Sequence, residues 1–194
     1  VITVTNTAKG LERIREIYGD SVVVIPYVMP GFDLARLCAG EFAKQAGRNT
    51  IGMVLMNHGI FSFGETARQS YEHMIELVTR AEDYLARHKA WQLPAAAEKP
   101  PAGPLRREMA ELRRALSVTA GFPVIVAAHE DAASLAFARR ADVATISQQG
   151  PATPDHVIRT KRVPMIGRDV KAYVEAYKKY FNEHAPKARE PKTM

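Results

Sequence analysis

The tripeptide Asn57-His58-Gly59 is the first candidate for chemistry in this sequence, and it follows an apolar run from Thr50 to Met56. A continuous apolar run with glycine at its borders is typical of a buried strand. Ligands of open α/β sheets bind beyond the carboxyl ends of such strands. Because side chains alternate along a strand, we expect His58 to share the face of Met56 and to end an otherwise apolar strand.

Two interpretations of His58 stay open on the residues alone. A buried histidine can be satisfied by a backbone partner, or its imidazole can bind a metal ion or ligand. One histidine does not make a metal site, since catalytic zinc takes about three protein ligands. Gly59 has no Cβ, so we expect the backbone to turn sharply there or to allow another group to approach closely.

A second unusual group, formed by Asp155, His156, Arg159 and Lys161, follows Pro154. Proline restricts Thr153, the residue before it, to extended conformations, and if the chain stays extended the following side chains alternate between two faces. An Asp-His pair beside basic side chains would suit a phosphate or a carboxylate. A surface loop of mixed charge is the equal alternative.

The remaining titratable residues point less clearly to a site. His129, Glu130 and Asp131 are adjacent, but we favour an exposed helix N-cap at Asp131 over a metal site. No two of the six histidines are separated by a single residue, so a His-x-His pair is absent from the sequence. The glycine pattern G-x-G-x-x-G is also absent, and no dehydrogenase activity is therefore assigned to this chain.

The hydrophobic pattern predicts an α/β protein in which strands alternate with helices of ten to fifteen residues. We expect the first helix to be capped by Asn6 or Thr7, and later helices to be capped by Thr66, Asp131 and Asp169. The predicted strands are 1–5, 21–27, 50–56, 61–63 and 123–128. The predicted helices are 33–45, 67–92, 105–120, 131–140 and one that begins after 169. The stripe of the longest helix comprises Tyr71, Met74, Leu77, Val78, Ala81, Leu85 and His88.

The order of these features resembles the class II aldolase/adducin family. Pro30-Gly31 precedes the apolar strand, Asn57-His58-Gly59 ends it, and Gly64, Ala67 and Tyr71 follow. The resemblance runs from about residue 22 to residue 85. The later part, from 105 to about 181, resembles the rhamnulose-phosphate-aldolase-like group of bacterial proteins that join an aldolase to a short-chain dehydrogenase.

The resemblance implies a three-layer α/β/α fold, which we expect to be mixed because the Asn-His-Gly turn leaves little room for a crossover. In this family three histidines hold a zinc ion, which stabilises the enediolate formed when a ketose phosphate is cleaved. His58 matches the third of these histidines, and Asn57 and Gly59 match the turn that aims it. The other two histidines and the catalytic glutamate have no match here. The chain begins at Val1, so we expect these residues to lie upstream in a longer protein.

Composition sets the remaining limits. The chain has 194 residues, a net charge of +6 and a single cysteine, Cys38, which excludes a disulfide within the chain. We expect a cytoplasmic protein without a membrane span. The basic residues are scattered, so a solvated surface explains the charge better than nucleic-acid binding.

These observations predict an organisation and two competing functions. We expect an aldolase-like part at 1–93, a Pro/Ala-rich linker at 94–104, an α/β segment at 105–184 and a disordered tail at 185–194. The first hypothesis is part of a zinc-dependent aldolase that acts on a sugar phosphate, in a homo-oligomer, with NAD(P) bound only in a dehydrogenase domain outside this chain. The alternative is a non-catalytic, adducin-like interaction module.

Overall fold

The computed structural model describes residues 1–92, 105–129, 131–188 and 190–194. Contacts divide the chain into two compact units, one formed by 1–93 with 150–162 and one formed by 94–149 with 163–194. The stretch 150–162 therefore packs with the first unit, although the sequence analysis treated 105–184 as one segment. The expected linker, 94–104, lies outside the described residues.

The first unit is built on a mixed sheet whose strands are β1 (Val22–Ile25), β2 (Gly52–Leu55) and β3 (Gly59–Ser62), in the order β1-β2-β3. β1 and β2 run parallel, whereas β2 and β3 form an antiparallel hairpin. The Val-rich β1 favours this conformation because branched side chains pack well on a pleated surface. The expectation of a mixed sheet is confirmed.

Helices cover both faces of the sheet, which gives the three α/β/α layers that the resemblance implied. The unit's helices are α1 (Ile2–Thr5), α2 (Gly10–Tyr18), α3 (Phe32–Gln45), α4 (Ala67–Arg87) and a short helix within 150–162. Val22 and Val54 are buried with residues of α2 and α4, whereas Val23, Ile25 and Leu55 are buried with Leu34 of α3. This split follows from the alternation of side chains along each strand.

The longest helix, α4, begins and packs largely as its sequence predicts. The side chain of Thr66 accepts a hydrogen bond from the backbone N–H of Gln69 and caps the helix. Leu77, Ala81 and Leu85 are buried. Tyr71 is 66% exposed and His88 is exposed after the helix end, so the assignment of these two residues to the inward stripe is wrong. The helix ends at Arg87 rather than near residue 92.

The start of the chain differs from the prediction. Residues 2–5 form α1 rather than a strand, with Val4 and Thr5 buried. Burial of these side chains overrides the strand preference of their β-branched types. Neither Asn6 nor Thr7 caps α2, because that helix begins at Gly10 with Lys9 as its N-cap residue.

The second unit contains α5 (Leu105–Ala120), α6 (Ala132–Ala138), α7 (Val143–Ile146) and, after the helix α8 (Pro154–Arg159) of the first unit, α9 (Val170–His184). Asp131 and Asp169 cap α6 and α9 as expected. The predicted strand at 123–128 is wrong: these residues are irregular, and the Ile125 side chain is 95% exposed. Residues 185–187 form a single 3-10 turn. In the described parts of both units, no helix is long and apolar enough to cross a membrane.

Candidate functional site

His58 lies in the tight turn between β2 and β3. The turn is closed by a hydrogen bond of 3.1 Å from the backbone N–H of His58 to the carbonyl oxygen of Leu55. Asn57 adopts the left-handed conformation with φ of 58°. Asparagine is one of the few residues with a side chain that tolerate this region. The positive φ therefore falls on Asn57 and not on Gly59, where we expected the sharp bend.

The space that a side chain on Gly59 would occupy is empty in the described structure. A Cβ placed on it would meet no atom within 4 Å. The absence of a side chain thus leaves open space beside the turn, and the requirement for a close approach that we expected at Gly59 is not met by any described residue of this chain.

The side chain of Asn57 is tied to two distant parts of the first unit. Its amide group donates to the side-chain oxygen of Asn6, which follows α1. The amide group of Asn6 donates in turn to the carbonyl oxygen of Ala152, at a distance of 2.6 Å. The turn, the end of α1 and the segment 150–162 are therefore joined by consecutive hydrogen bonds, although they are far apart in sequence.

The segment 150–162 contains a short helix, α8 (Pro154–Arg159), so the chain does not stay extended after Thr153 and its side chains do not alternate between two faces. Thr153 is extended, as expected for a residue before proline, and its side chain accepts the N–H of His156. Pro154 occupies the first turn of the helix, where its missing N–H costs nothing. A proline that restricts its predecessor can thus also begin a helix.

The helix changes the arrangement of the proposed anion-binding residues. Asp155 and Arg159 lie one turn apart and form an ion pair of 2.9 Å, and the ring Nδ1 of His156 is 2.6 Å from the side-chain oxygen of Thr153. All three side chains and Lys161 are exposed. Asp155 is brought close to His58, whereas His156, Arg159 and Lys161 do not line the same cavity.

His58 and α8 line an open cavity of about 290 Å³ in the first unit. The Nδ1 atom of His58 is buried and has no hydrogen-bond partner among the described residues. A buried nitrogen without a partner is costly and is uncommon in folded proteins, which makes His58 a candidate to bind a ligand. The cavity is lined by Met29, Pro30, His58, Pro154, Asp155, Val157 and Ile158.

The donor set at this cavity does not amount to a complete metal site. A catalytic zinc ion takes about three protein ligands, and the cavity offers one imidazole and one carboxylate. In the described ranges, no group of three or more histidine, cysteine, aspartate or glutamate residues is placed to hold a metal ion. The unpartnered nitrogen fits a metal ligand or a hydrogen-bond donor to a ligand, but the described residues alone do not fit zinc.

Asp131, the last residue of the cluster at 129–131, is the N-cap residue of α6. Asp131 accepts hydrogen bonds from the backbone N–H and the hydroxyl group of Ser134, at 2.9 and 2.5 Å. These bonds hold the pKa of the Asp131 carboxyl below its usual value. An N-cap is what we favoured here. Glu130 lies outside the described residues.

A mixed sheet between helices, with an Asn-His-Gly turn at the end of its second strand, defines an aldolase-like domain of the class II type. A family model described as Class II Aldolase and Adducin N-terminal domain matches residues 2–85, and one described as Aldolase class II, second domain matches residues 104–194. Together they cover most of the chain, which belongs to the class II aldolase/adducin family. The resemblance noted from the sequence is confirmed.

Two individual proteins are similar to this chain. "Uncharacterized oxidoreductase YuxG" of Bacillus subtilis (strain 168) is 28% identical over 182 residues, which cover 85% of this chain and 24% of that protein. The chain thus spans about a quarter of the length of this relative. The N-terminal class II aldolase domain of a conserved protein from Thermoplasma acidophilum is 37% identical, with a TM-score of 0.37, over 43% of this chain and 37% of that one.

Proposed function

We propose that this chain is part of a zinc-dependent class II aldolase that cleaves a ketose 1-phosphate by a retro-aldol reaction. Membership in the family supports an aldolase-like role, and its members generally depend on a metal ion. The observation that carries the proposal is the buried Nδ1 of His58, which has no partner among the described residues and lies in the family's Asn-His-Gly turn. His58 would supply one ligand in the assembled protein.

The position of His58 supports this role. A ligand must be held in a fixed orientation, and the backbone hydrogen bond to Leu55 and the left-handed Asn57 fix the backbone on either side of the imidazole. The cavity beside it contains one carboxylate, that of Asp155, among mainly apolar side chains. Such a cavity binds a small organic fragment by shape and orients it through few polar groups.

The basic surface supports a phosphorylated substrate. The chain carries a net charge of +6, and Arg159 and Lys161 lie on or just after α8, the helix that contributes Asp155 to the cavity wall. A positive field raises the local concentration of anionic substrates. We assign Arg159, Lys161 and His156 as candidate contacts to the phosphate or to a carboxylate, outside the cavity itself.

We further propose that the parent protein joins this region to a short-chain dehydrogenase that binds NAD(P). The support is a relative that is named an oxidoreductase and is about four times as long as the matched region. We also propose a cytoplasmic homo-oligomer, as is common in the family.

The test is the activity and metal content of the full-length protein with a His58→Ala substitution. We expect stoichiometric zinc in the wild type, aldehyde release from a ketose 1-phosphate, and a loss of kcat/KM exceeding the roughly 10- to 100-fold that is typical when a supporting residue is removed. His88→Ala is the matched control, because His88 is exposed directly after the end of α4 and its loss should leave activity and zinc content unchanged.

Two results would contradict the proposal. Unaltered activity in His58→Ala would remove His58 from the site. A full-length wild type without bound zinc and without aldehyde release would instead support the non-catalytic, adducin-like module.

A further inference from the structure

We propose that Asn6 is a positioning residue. Its side chain holds the His58 turn and helix α8 in a fixed relative position, and so maintains the cavity that they line. This inference rests on the proposed function for its effect on catalysis, but not for its structural part. Asn6 lies outside the Asn-His-Gly motif and is separated from Asn57 by 51 residues. Its side chain is the link between two segments that line one cavity.

The first step of the argument is that Asn6 starts from a fixed backbone. It follows α1, whose Val4 and Thr5 are buried, and its N–H donates to the carbonyl oxygen of Ile2 at 3.0 Å. The next helix packs closely against this turn, because a Cβ on Gly10 would collide with the carbonyl oxygen of Thr5. A side chain anchored at such a point has little freedom to shift.

The second step is that Asn6 uses both ends of its amide group. The oxygen accepts from the amide group of Asn57, and the nitrogen donates to the carbonyl oxygen of Ala152 at 2.6 Å. An amide is suited to this task because it carries a donor and an acceptor on one carbon. A carboxylate would preserve only the first bond, and an alanine neither.

The third step is that both partners of Asn6 adjoin the cavity. Asn57 directly precedes His58, and Ala152 lies two residues before Pro154, the buried first residue of α8. His58, Pro154 and Asp155 line the cavity. We therefore expect loss of the bridge to loosen the position of α8 relative to the imidazole, and displacements of about 1 Å in a reactive geometry can cost about 100-fold in rate.

The experiment compares Asn6→Ala, Asn6→Asp and Asn49→Ala by amide hydrogen exchange in the full-length protein. Two amides report the two sides: that of His58, bonded to Leu55, and that of Thr160, bonded to His156. We expect faster exchange around both in Asn6→Ala. In Asn6→Asp we expect faster exchange only in α8. Asn49→Ala removes an exposed side-chain bond of 2.7 Å to Asp20 and should change neither.

Exchange in strand β1 separates this local effect from a general loss of stability, because a globally destabilised protein would exchange faster there too. If the amides of β1 keep their protection from exchange while those of α8 and the His58 turn lose it, Asn6 positions the site. Unchanged exchange at both reporters in Asn6→Ala, or equal acceleration of β1 and the reporters, would overturn the proposal.

An activity measurement extends the test. We expect kcat/KM of Asn6→Ala to fall about tenfold or more with the bound zinc retained. If the wild type proves to have no aldolase activity, the proposed function fails but the exchange experiment still decides the role of Asn6. If the wild type is active and Asn6→Ala is equally active despite faster exchange, the catalytic part of this inference is wrong.

Discussion

The side-chain amide of Gln45 pairs with the backbone of Val24 as the peptide group of a neighbouring strand would. Its oxygen accepts the N–H of Val24 at 3.1 Å, and its nitrogen donates to the carbonyl oxygen of Val24 at 3.2 Å. β1 is the edge strand of the described sheet, so this amide satisfies groups that an edge leaves exposed. The pair lies in a groove of about 630 Å³ along β1.

Gln45→Ala is expected to destabilise the protein and to expose the backbone edge of β1. The lost bonds should lower the free energy of unfolding by about 1–2 kcal/mol, measured by urea denaturation. Sedimentation should show increased association at high concentration, because an unprotected edge pairs with other strands. Gln92→Ala, at an exposed position beyond α4, is the control. A Gln45→Ala protein as stable as this control would show that the amide adds nothing.

Gly52→Ala is expected to destabilise the contact between β2 and α4. A Cβ on Gly52 would come within 2.5 Å of the Leu77 Cδ1 atom and 2.6 Å of the Phe61 carbonyl oxygen. Overpacking of this kind costs about 1–3 kcal/mol in the free energy of unfolding. Gly40→Ala, in the open middle of α3, should instead stabilise by about 0.5–1 kcal/mol. Equal effects of the two substitutions would contradict the packing argument.

Substitutions of Asn57 separate backbone strain from side-chain contacts. Asn57→Gly and Asn57→Val both lose the bond to Asn6, but only valine is strained at φ of 58°. The valine variant should therefore be less stable than the glycine variant by about 1–3 kcal/mol in thermal or urea unfolding. The same stability in both would mean that the turn can be remodelled without a left-handed residue.

Arg159→Ala is expected to affect substrate affinity more than stability. Its ion pair with Asp155 is exposed, and such pairs contribute about 0–1 kcal/mol. If Arg159 contacts the phosphate, KM for a ketose 1-phosphate rises while the free energy of unfolding hardly changes. Arg68→Ala is a matched control, because Arg68 forms the same kind of exposed pair with Glu72 on α4. Unchanged KM in Arg159→Ala would exclude the contact.

The stability of the protein is expected to fall at alkaline pH because of Tyr18. Its hydroxyl group is buried and donates to the carbonyl oxygen of Leu77 at 2.9 Å, and burial raises the pKa of Tyr18 from 10.0 to about 12. The unfolded chain therefore loses this proton first. The contribution of Tyr18 to the free energy of unfolding is complete below about pH 10 and is lost as the pH rises towards 12.

Urea midpoints recorded from pH 9 to 12 check this expectation. In Tyr18→Phe the overall stability is lower, but its decline over this range should be shallower than in the wild type. Tyr27→Phe removes a hydroxyl group at a much more exposed position and should keep the wild-type slope. If the urea midpoint fell equally steeply with pH in the wild type and in Tyr18→Phe, the decline would be due to other titratable groups.

The sheet and the helices around it are predictable because their patterns are strong. These patterns are local in the sequence: the apolar runs of β1 and β2, the stripe of α4 and the cap at Thr66. Tertiary packing favours the same conformations as the local patterns do. The same holds for the position of His58, which depends on a short turn directly after a strand.

The parts that the sequence misses depend on contacts between distant residues. Residues 2–5 have the composition of a strand but form α1 because Val4 and Thr5 are buried against other helices. Pro154 was interpreted through its effect on Thr153, whereas its place at the start of α8 decides the conformation. The sequence suggests Asn6 only as a helix cap and gives no signal for its bridging role, since only the fold brings Asn57 and Ala152 to it.

The length of the loop between β2 and β3 fixes the position of the His58 imidazole. Leu55 pairs with Gly59, so only three residues cross from one strand to the other. If an inserted residue shifted the pairing of β3 with β2 by one position, the side chains of β3 would point to the opposite face of the sheet. Chains that preserve this cavity should therefore tolerate length changes elsewhere in the first unit far better than at residues 56–58.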